Sequence, residues 1–222
     1  MNNSNKKILF ITQWEYKDAL VQTYTLPYIN IIRRNTPASC YLVTISENSR
    51  TIRVKKRDGI VVIEIPDPTR MSWLQWFLNI FLLLRIVRKK QFPVLHTFCT
   101  PAGAIGVILK MLYNKVKLVL DSLEPHAEAM LECKIWKKGV KFKALFYLEK
   151  LQIKKADNLI FAAKGMDKYI SEKYKLNVAG YFVKPACIDL SMFSENLIKD
   201  SGLLKELGLE NKIVCVYAGK FG

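Results

Sequence analysis

Residues 117–130 read K-L-V-L-D-S-L-E-P-H-A-E-A-M. The first five form a short apolar run with β-branched Val119 inside it and charge at both ends, the pattern of a buried strand in a parallel sheet. Polar groups follow at once: Asp121, Ser122, Glu124 and His126 around Pro125, and then a helix-forming run from Ala127. In open α/β sheets ligands sit outside the carboxyl ends of the strands, so this junction is where a site is expected. His126, one of 2 histidines in the chain, falls there.

Working outward, strand and helix patterns alternate. Residues 7–12 (K-I-L-F-I-T) predict a first buried strand. A polar, aromatic loop over residues 13–18 follows, then an apolar-periodic helix through Leu26, Ile29 and Ile32. The loop contains no glycine, which argues against the dinucleotide-binding fingerprint of a dehydrogenase. Residues 41–46 predict a second strand, and residues 51–55 and 60–65 a hairpin turning at Asp58-Gly59. Further strands are expected over 94–98, 157–162 and 181–184, with helices over 101–113, 134–155 and 164–174. Gly103 and Gly106 lie in the first of these helix-period stretches, where a close neighbour is expected. The alternation implies an α/β fold, a doubly wound and mostly parallel Rossmann-like sheet.

The composition sets limits on partners. Half of the 222 residues are hydrophobic, enough for a substantial core, while the formal net charge is +16. Such a surface attracts polyanions: nucleic acid, an anionic leaflet or a phosphorylated substrate. No helix-turn-helix, zinc-finger or RNP-type signature points to nucleic acid. Cys40, Cys99, Cys133, Cys187 and Cys215 form no C-x-x-C pair and read as reduced, buried thiols; with only His96 and His126 beside them a zinc site has little to draw on. The N-terminal residues lack a signal-peptide core, so a cytoplasmic location is expected.

Two helices leave alternatives open. Residues 71–90 are the most apolar stretch but are broken by Gln75, Asn79 and Arg85, whereas a bilayer span needs roughly 20 uninterrupted apolar residues. The stretch reads either as a buried helix of the α/β layer or as a monotopic helix, with Trp73 and Trp76 among lipid headgroups and Arg88, Lys89 and Lys90 on phosphates. Residues 134–155 are lysine-rich with Glu149 as their one acid, and read either as a membrane-surface helix or as a solvated face over a core stripe. After a stretch with a short helix over 203–207 stopped by Gly208, residues 212–217 (K-I-V-C-V-Y) have the pattern of a buried strand.

Five stretches in this order carry a resemblance: V-L-H-T-F at 94–98 with P-A-G at 101–103; D-S-L-E-P-H-A-E-A-M at 121–130; K-K-A-D-N-L-I-F-A at 154–162; K-P-A-C-I-D-L-S-M-F at 184–193; and V-Y-A-G-K-F-G at 216–222. From about residue 7 onward the chain resembles the N-terminal half, plus the first strand of the C-terminal half, of the family-4 (group 1) glycosyltransferases of GT-B fold. The resemblance implies residues 1–193 as an acceptor-side Rossmann-like domain, 194–211 as an interdomain linker, and 212–222 as the start of a donor-binding domain that continues beyond them. It implies a nucleotide-sugar as co-substrate, with no cofactor or metal, and a cell-surface or lipid-linked glycan as acceptor. His126 matches the family histidine that touches the transferring sugar, where an imidazole can hydrogen-bond sugar hydroxyls or developing charge. Glu124, with Gln13, Trp14 and Glu15 of the first loop, is expected on the cleft wall. Asp189 matches the interdomain loop, and Lys220 a basic residue that grips the donor diphosphate as a point charge.

On this reading the chain is the acceptor-binding part of a sugar-transferring enzyme of the hexosyltransferase class, inactive alone and peripheral at the inner face of the cell membrane. The alternative is a non-catalytic membrane-docking subunit of a two-chain glycosyltransferase, with a separately encoded C-terminal half.

Overall fold

Leu9 and Ile11 are buried with one group of core residues and Phe10 with another, so the first strand is covered on both faces. The computed structural model describes residues 6–47, 49–67, 73–121, 124–185 and 200–215, excluding the side chains of residues 73–76. Its contacts divide the chain into two compact units, Met1–Ile188 and Asp189–Gly222.

In the first unit eight strands form one sheet: β1 (Lys7–Glu15), β2 (Ser39–Ser46), β3 (Arg53–Arg57), β4 (Ile60–Pro66), β5 (Val94–Phe98), β6 (Lys117–Asp121), β7 (Asn158–Phe161) and β8 (Phe182–Val183). Their order is β3-β4-β2-β1-β5-β6-β7-β8, and every pair is parallel except the β3–β4 hairpin. That hairpin turns on Asp58 and Gly59, both at positive φ (49° and 77°), as a type I′ turn requires. The doubly wound, mostly parallel sheet read from the sequence is thus the observed fold, with the edge closed by one antiparallel strand.

Helix α1 (Leu26–Asn35) returns the chain from β1 to β2 and packs Leu26 and Ile29 against Phe10, Leu42 and Val62. Helices α2 (Trp73–Lys90) and α3 (Cys99–Leu112) cover the other core, where Leu83, Val87 and Val107 meet Leu9, Ile11 and Val43. Beyond α4 (His126–Glu132), a third core joins α5 (Val140–Lys155) and α6 (Met166–Tyr174) through Ile153, Ile170 and Tyr174 against Leu120, Leu159 and Phe161. The backbone of α3 approaches β5 and β6 closely at Gly106, where an added Cβ would stand 2.6 Å from Thr97 Cγ2 and 2.8 Å from Leu118 Cδ1.

Several boundaries differ from the sequence expectation. Gln13, Trp14 and Glu15 are not loop residues: they continue β1 past a register shift between Ile11 and Glu15, because β2 runs alongside far enough to pair Ile45 with Glu15. A π-helical turn, Val21–Thr25, precedes α1. Helix α5 starts at Val140 rather than at residue 134, since Lys134 adopts φ 58° and Gly139 is extended. Helix α2 is neither wholly buried nor wholly interfacial in pattern: Ile80, Leu83, Leu84 and Val87 are buried while Leu78, Phe81 and Leu82 are exposed. No helix among the described residues is long and apolar enough to cross a membrane. Cys40 and Cys99 are buried free thiols, but Cys133 and Cys215 are exposed, the first capping the end of α4 and the second in an irregular segment; Cys187 lies outside the described residues.

In the second unit, α7 (Ser201–Glu206) is capped by Asp200, whose Oδ1 accepts the Leu203 N–H at 3.0 Å, and Gly208 follows it at φ 62°. Residues 212–215 pair with no strand among the described residues and are exposed; Val216 and Tyr217 lie outside them.

Candidate active site at the carboxyl edge of the sheet

A strand interior is a costly place for charge, yet β5 and β6 carry His96 and Asp121 on the same face of the sheet. Parallel register sets Phe10 beside His96 and Phe98 beside Asp121, so an aromatic surface surrounds the two polar groups. His96 Nε2 lies 2.8 Å from Asp121 Oδ2, and both residues are buried. An ionised carboxylate only accepts, so Nε2 carries the proton. The same Oδ2 accepts a hydrogen bond from Lys184 Nζ, just past β8, and Oδ1 accepts one from the Tyr24 hydroxyl at 3.4 Å. Burial alone would raise the Asp121 pKa, but His96 and Lys184 outweigh it and hold the carboxyl below the ordinary aspartate range. Lys184 is further enclosed by aromatic rings, its Nζ standing 3.7 Å from the centroid of Tyr28, 4.6 Å from Tyr24 and 5.3 Å from Phe98. The π-helical turn carries Tyr24 and α1 carries Tyr28, so the first crossover and the end of β8 close over one buried ion cluster.

Above this floor the strands turn into helices. The β5-to-α3 junction has no loop: Phe98 ends the strand and Cys99, at φ 64°, begins the helix. Burial, with Glu124 and Asp121 nearby, pushes the Cys99 thiol up to about 12, so it is not a nucleophile at neutral pH. Thr100 Oγ1 donates to the Glu124 carbonyl at 2.7 Å and accepts the Glu124 N–H at 3.4 Å, tying the β6–α4 connection to the first turn of α3.

His126 is the first residue of α4, and its side chain is 27% exposed, with Nδ1 3.7 Å from Glu124 Oε2. The ring is therefore presented to solvent at the carboxyl end of β6 with a carboxylate beside it. What fixes the backbone there is Glu149 of α5, whose Oε1 accepts the Ala127 N–H at 2.9 Å and whose Oε2 accepts the Tyr174 hydroxyl at 2.9 Å. Glu149 is buried, and burial raises its pKa against the lowering effect of those donors and of the His126 N–H. A second pair, Tyr169 to Glu128, braces the same first turn of α4.

Of the residues singled out from sequence, His126 and Glu124 stand together. Gln13 and Trp14 are half-buried at the end of β1, and Trp14 packs on the α1-side core. The Glu15 carboxylate accepts the Glu47 N–H at 2.7 Å and so is committed to joining β1 and β2. Asp189 and Lys220 lie outside the described residues. Among the described residues no group of three His, Cys, Asp or Glu side chains is arranged to hold a metal ion. Sequence reasoning passed over the partnership of His96, Asp121 and Lys184 and the capping role of Glu149. The available signals were a histidine inside an apolar strand and a single acid in a lysine-rich helix.

No family model matches the chain, and no curated protein matches its sequence. Solved structures do match its fold. Sucrose-phosphate synthase from Thermosynechococcus elongatus superposes with a TM-score of 0.64 at 12% identity, over 92% of this chain and 53% of that one. A glycosyltransferase from Rickettsia africae gives 0.57 at 14%, over 95% and 51%. Anabaena HepE, solved in complex with UDP, gives 0.54 at 14%, over 92% and 50%. The chain spans about half the length of these structures, and its Rossmann-like fold is that of one half of a GT-B glycosyltransferase.

Proposed function

We propose that the chain is the acceptor-side, N-terminal half of a family-4 glycosyltransferase. In this reading a sugar moves from a nucleotide-sugar donor to a cell-surface or lipid-linked glycan at the inner membrane face. The observation that carries the reading is His126: a solvent-facing imidazole beside Glu124, held at the carboxyl edge of a sheet whose fold is half of the glycosyltransferase structures above. In this reading the nucleotide sugar is held by a second, donor-binding domain. Asp189 and Lys220 are assigned to the interdomain loop and the donor diphosphate by resemblance.

The chemistry asked of this half is modest. It binds the acceptor and offers a polarisable hydrogen-bonding group to the transferring sugar, where preorganised donors are worth about 3 kcal/mol each in the transition state. The test is a transfer assay with a panel of nucleotide sugars, run on the 222-residue chain alone and mixed with the product of the adjoining reading frame. Transfer in the mixture and silence from the chain alone support the proposal. Turnover by the chain alone overturns the division of labour. Absence of both transfer and nucleotide-sugar binding in the mixture overturns the enzymatic reading in favour of a docking subunit.

A further inference from the structure

Helix α2 is buried along one face only. Phe77, Leu78, Phe81 and Leu82 are 57, 51, 61 and 40% exposed. With Arg85 and Lys89 they follow a spacing that keeps all six on one side at 3.6 residues per turn. The N-terminal part of this face is apolar and its C-terminal part is cationic. Two surface grooves flank the Arg85–Lys89 ridge, one of about 390 Å³ walled by Phe81 and Leu84, the other of about 360 Å³ walled by Ile52, Leu82 and Ile86. Each sets apolar walls beside a guanidinium and an ammonium. Next to the ridge, Arg88 donates to the Leu112 carbonyl at 2.8 Å, and exposed Met111 and Leu112 continue the apolar surface at the end of α3.

Charge selects the occupant. Residues 68–120 contain no Asp or Glu but eight Lys or Arg; Lys110 and Lys117 among them pair with Asp157, while the charged residues of α2 itself are all cations. A second copy docking through the same face would set Arg85 and Lys89 against their own kind. A nucleic acid would satisfy the cations but leave the exposed Phe and Leu side chains in water. A bilayer bearing anionic lipid satisfies both halves, taking the apolar side chains at the acyl boundary and the cations on headgroup phosphates. Helix α5 offers a poorer match. Its exposed residues include Lys141, Lys143 and Ala144, and its exposed large apolar side chains, Val140 and Tyr147, are seven positions apart.

We propose that the exposed face of α2 is the surface by which this protein docks on anionic membranes, with Leu78, Phe81 and Leu82 as the inserted residues and Arg85 and Lys89 as the phosphate contacts. The proposal rests on the lipid-linked acceptor reading for its purpose but not for its test, because vesicle binding can be measured without any sugar transfer.

The experiment is co-sedimentation of the 222-residue chain with phosphatidylcholine vesicles containing or lacking phosphatidylglycerol. Binding is expected only to the anionic vesicles and weakens as salt is raised. Leu78→Ser combined with Phe81→Ser lowers partitioning at least tenfold with an unchanged thermal melt. Arg85→Gln combined with Lys89→Gln lowers it roughly fivefold for each charge removed. Lys141→Gln combined with Lys143→Gln removes the same charge from α5 and leaves binding within threefold. The proposal is overturned if no vesicle is bound, if the α5 variant loses as much as the α2 variants, or if heparin is bound and vesicles are not. Self-association abolished by the Leu78 and Phe81 substitutions, with no vesicle binding, overturns it in favour of a second copy.

Discussion

Asp121 reaches His96 across neighbouring strands, carboxylate to imidazole at 2.8 Å, with the carboxylate fully buried and the imidazole nearly so. The pair is held from above by Lys184, so a negative group with two nitrogen partners underlies the edge where the strands turn into helices. Breaking a buried pair from one side leaves the other charge uncompensated and costs about 3–5 kcal/mol.

Asp121→Asn should therefore lower the unfolding free energy by about 3–5 kcal/mol, measured by urea denaturation at pH 7. The pH dependence has a definite sign. A carboxyl whose folded-state pKa is depressed contributes stability that is present above its unfolded value, about 3.9, and is lost as pH falls through the folded value. The wild-type midpoint should drop below about pH 4, and the Asn variant should show a shallower drop. Equal slopes in the two proteins would remove Asp121 as the source.

Glu149 behaves in the opposite way. Its folded pKa is raised by burial, so its contribution is fully present below the unfolded glutamate value and declines as pH rises through the raised folded value. Glu149→Gln keeps an acceptor for the Ala127 N–H and should remain within about 1 kcal/mol of wild type while abolishing that decline. Glu149→Ala leaves the Ala127 N–H and the Tyr174 hydroxyl unsatisfied and should cost about 2–4 kcal/mol. Amide exchange at His126 and Ala127 should accelerate in the Ala variant before exchange elsewhere does. Unchanged protection at these two amides would show that α4 is held by something else.

These two carboxylates also mark where sequence reasoning reached its limit. The strands at Val94–Phe98 and Lys117–Asp121 were legible because each is a five-residue run bounded by proline or charge, and the Asp58-Gly59 turn because few residues accept two positive φ angles in succession. His126 was legible because a strand's carboxyl end is a defined place in an α/β sheet. The extension of β1 through Glu15 was not, since it depends on a bulge and on pairing with β2, which local pattern does not contain. Nor was the His96–Asp121–Lys184 cluster, whose members lie 25 and 63 residues apart and meet only through strand order and register. Glu149, alone among lysines, reads as part of a solvated face; the fold turns it inward to cap a different helix.

Close helix–sheet contact gives a third test. At Gly106→Ala the new Cβ meets Thr97 Cγ2 and Leu118 Cδ1 below 3 Å, and both atoms sit in packed core with little room to retreat. Overpacking of this kind costs about 1–3 kcal/mol, which should appear as a lower thermal midpoint with no change in the pH profile. A neutral or stabilising Gly106→Ala would mean that α3 can lift from the sheet.

His126 separates stability from function. Its imidazole is partly exposed and stands 3.7 Å from an exposed Glu124, a contact worth at most about 1 kcal/mol at such a site. His126→Ala should therefore leave the unfolding midpoint close to wild type. If the imidazole hydrogen-bonds the transferring sugar, the same change in a chain completed by its donor-binding half should lower kcat about 10²–10³-fold with a smaller change in KM. A loss confined to KM would make His126 an acceptor-binding group rather than a catalytic one, and full activity in the Ala variant would remove it from the site.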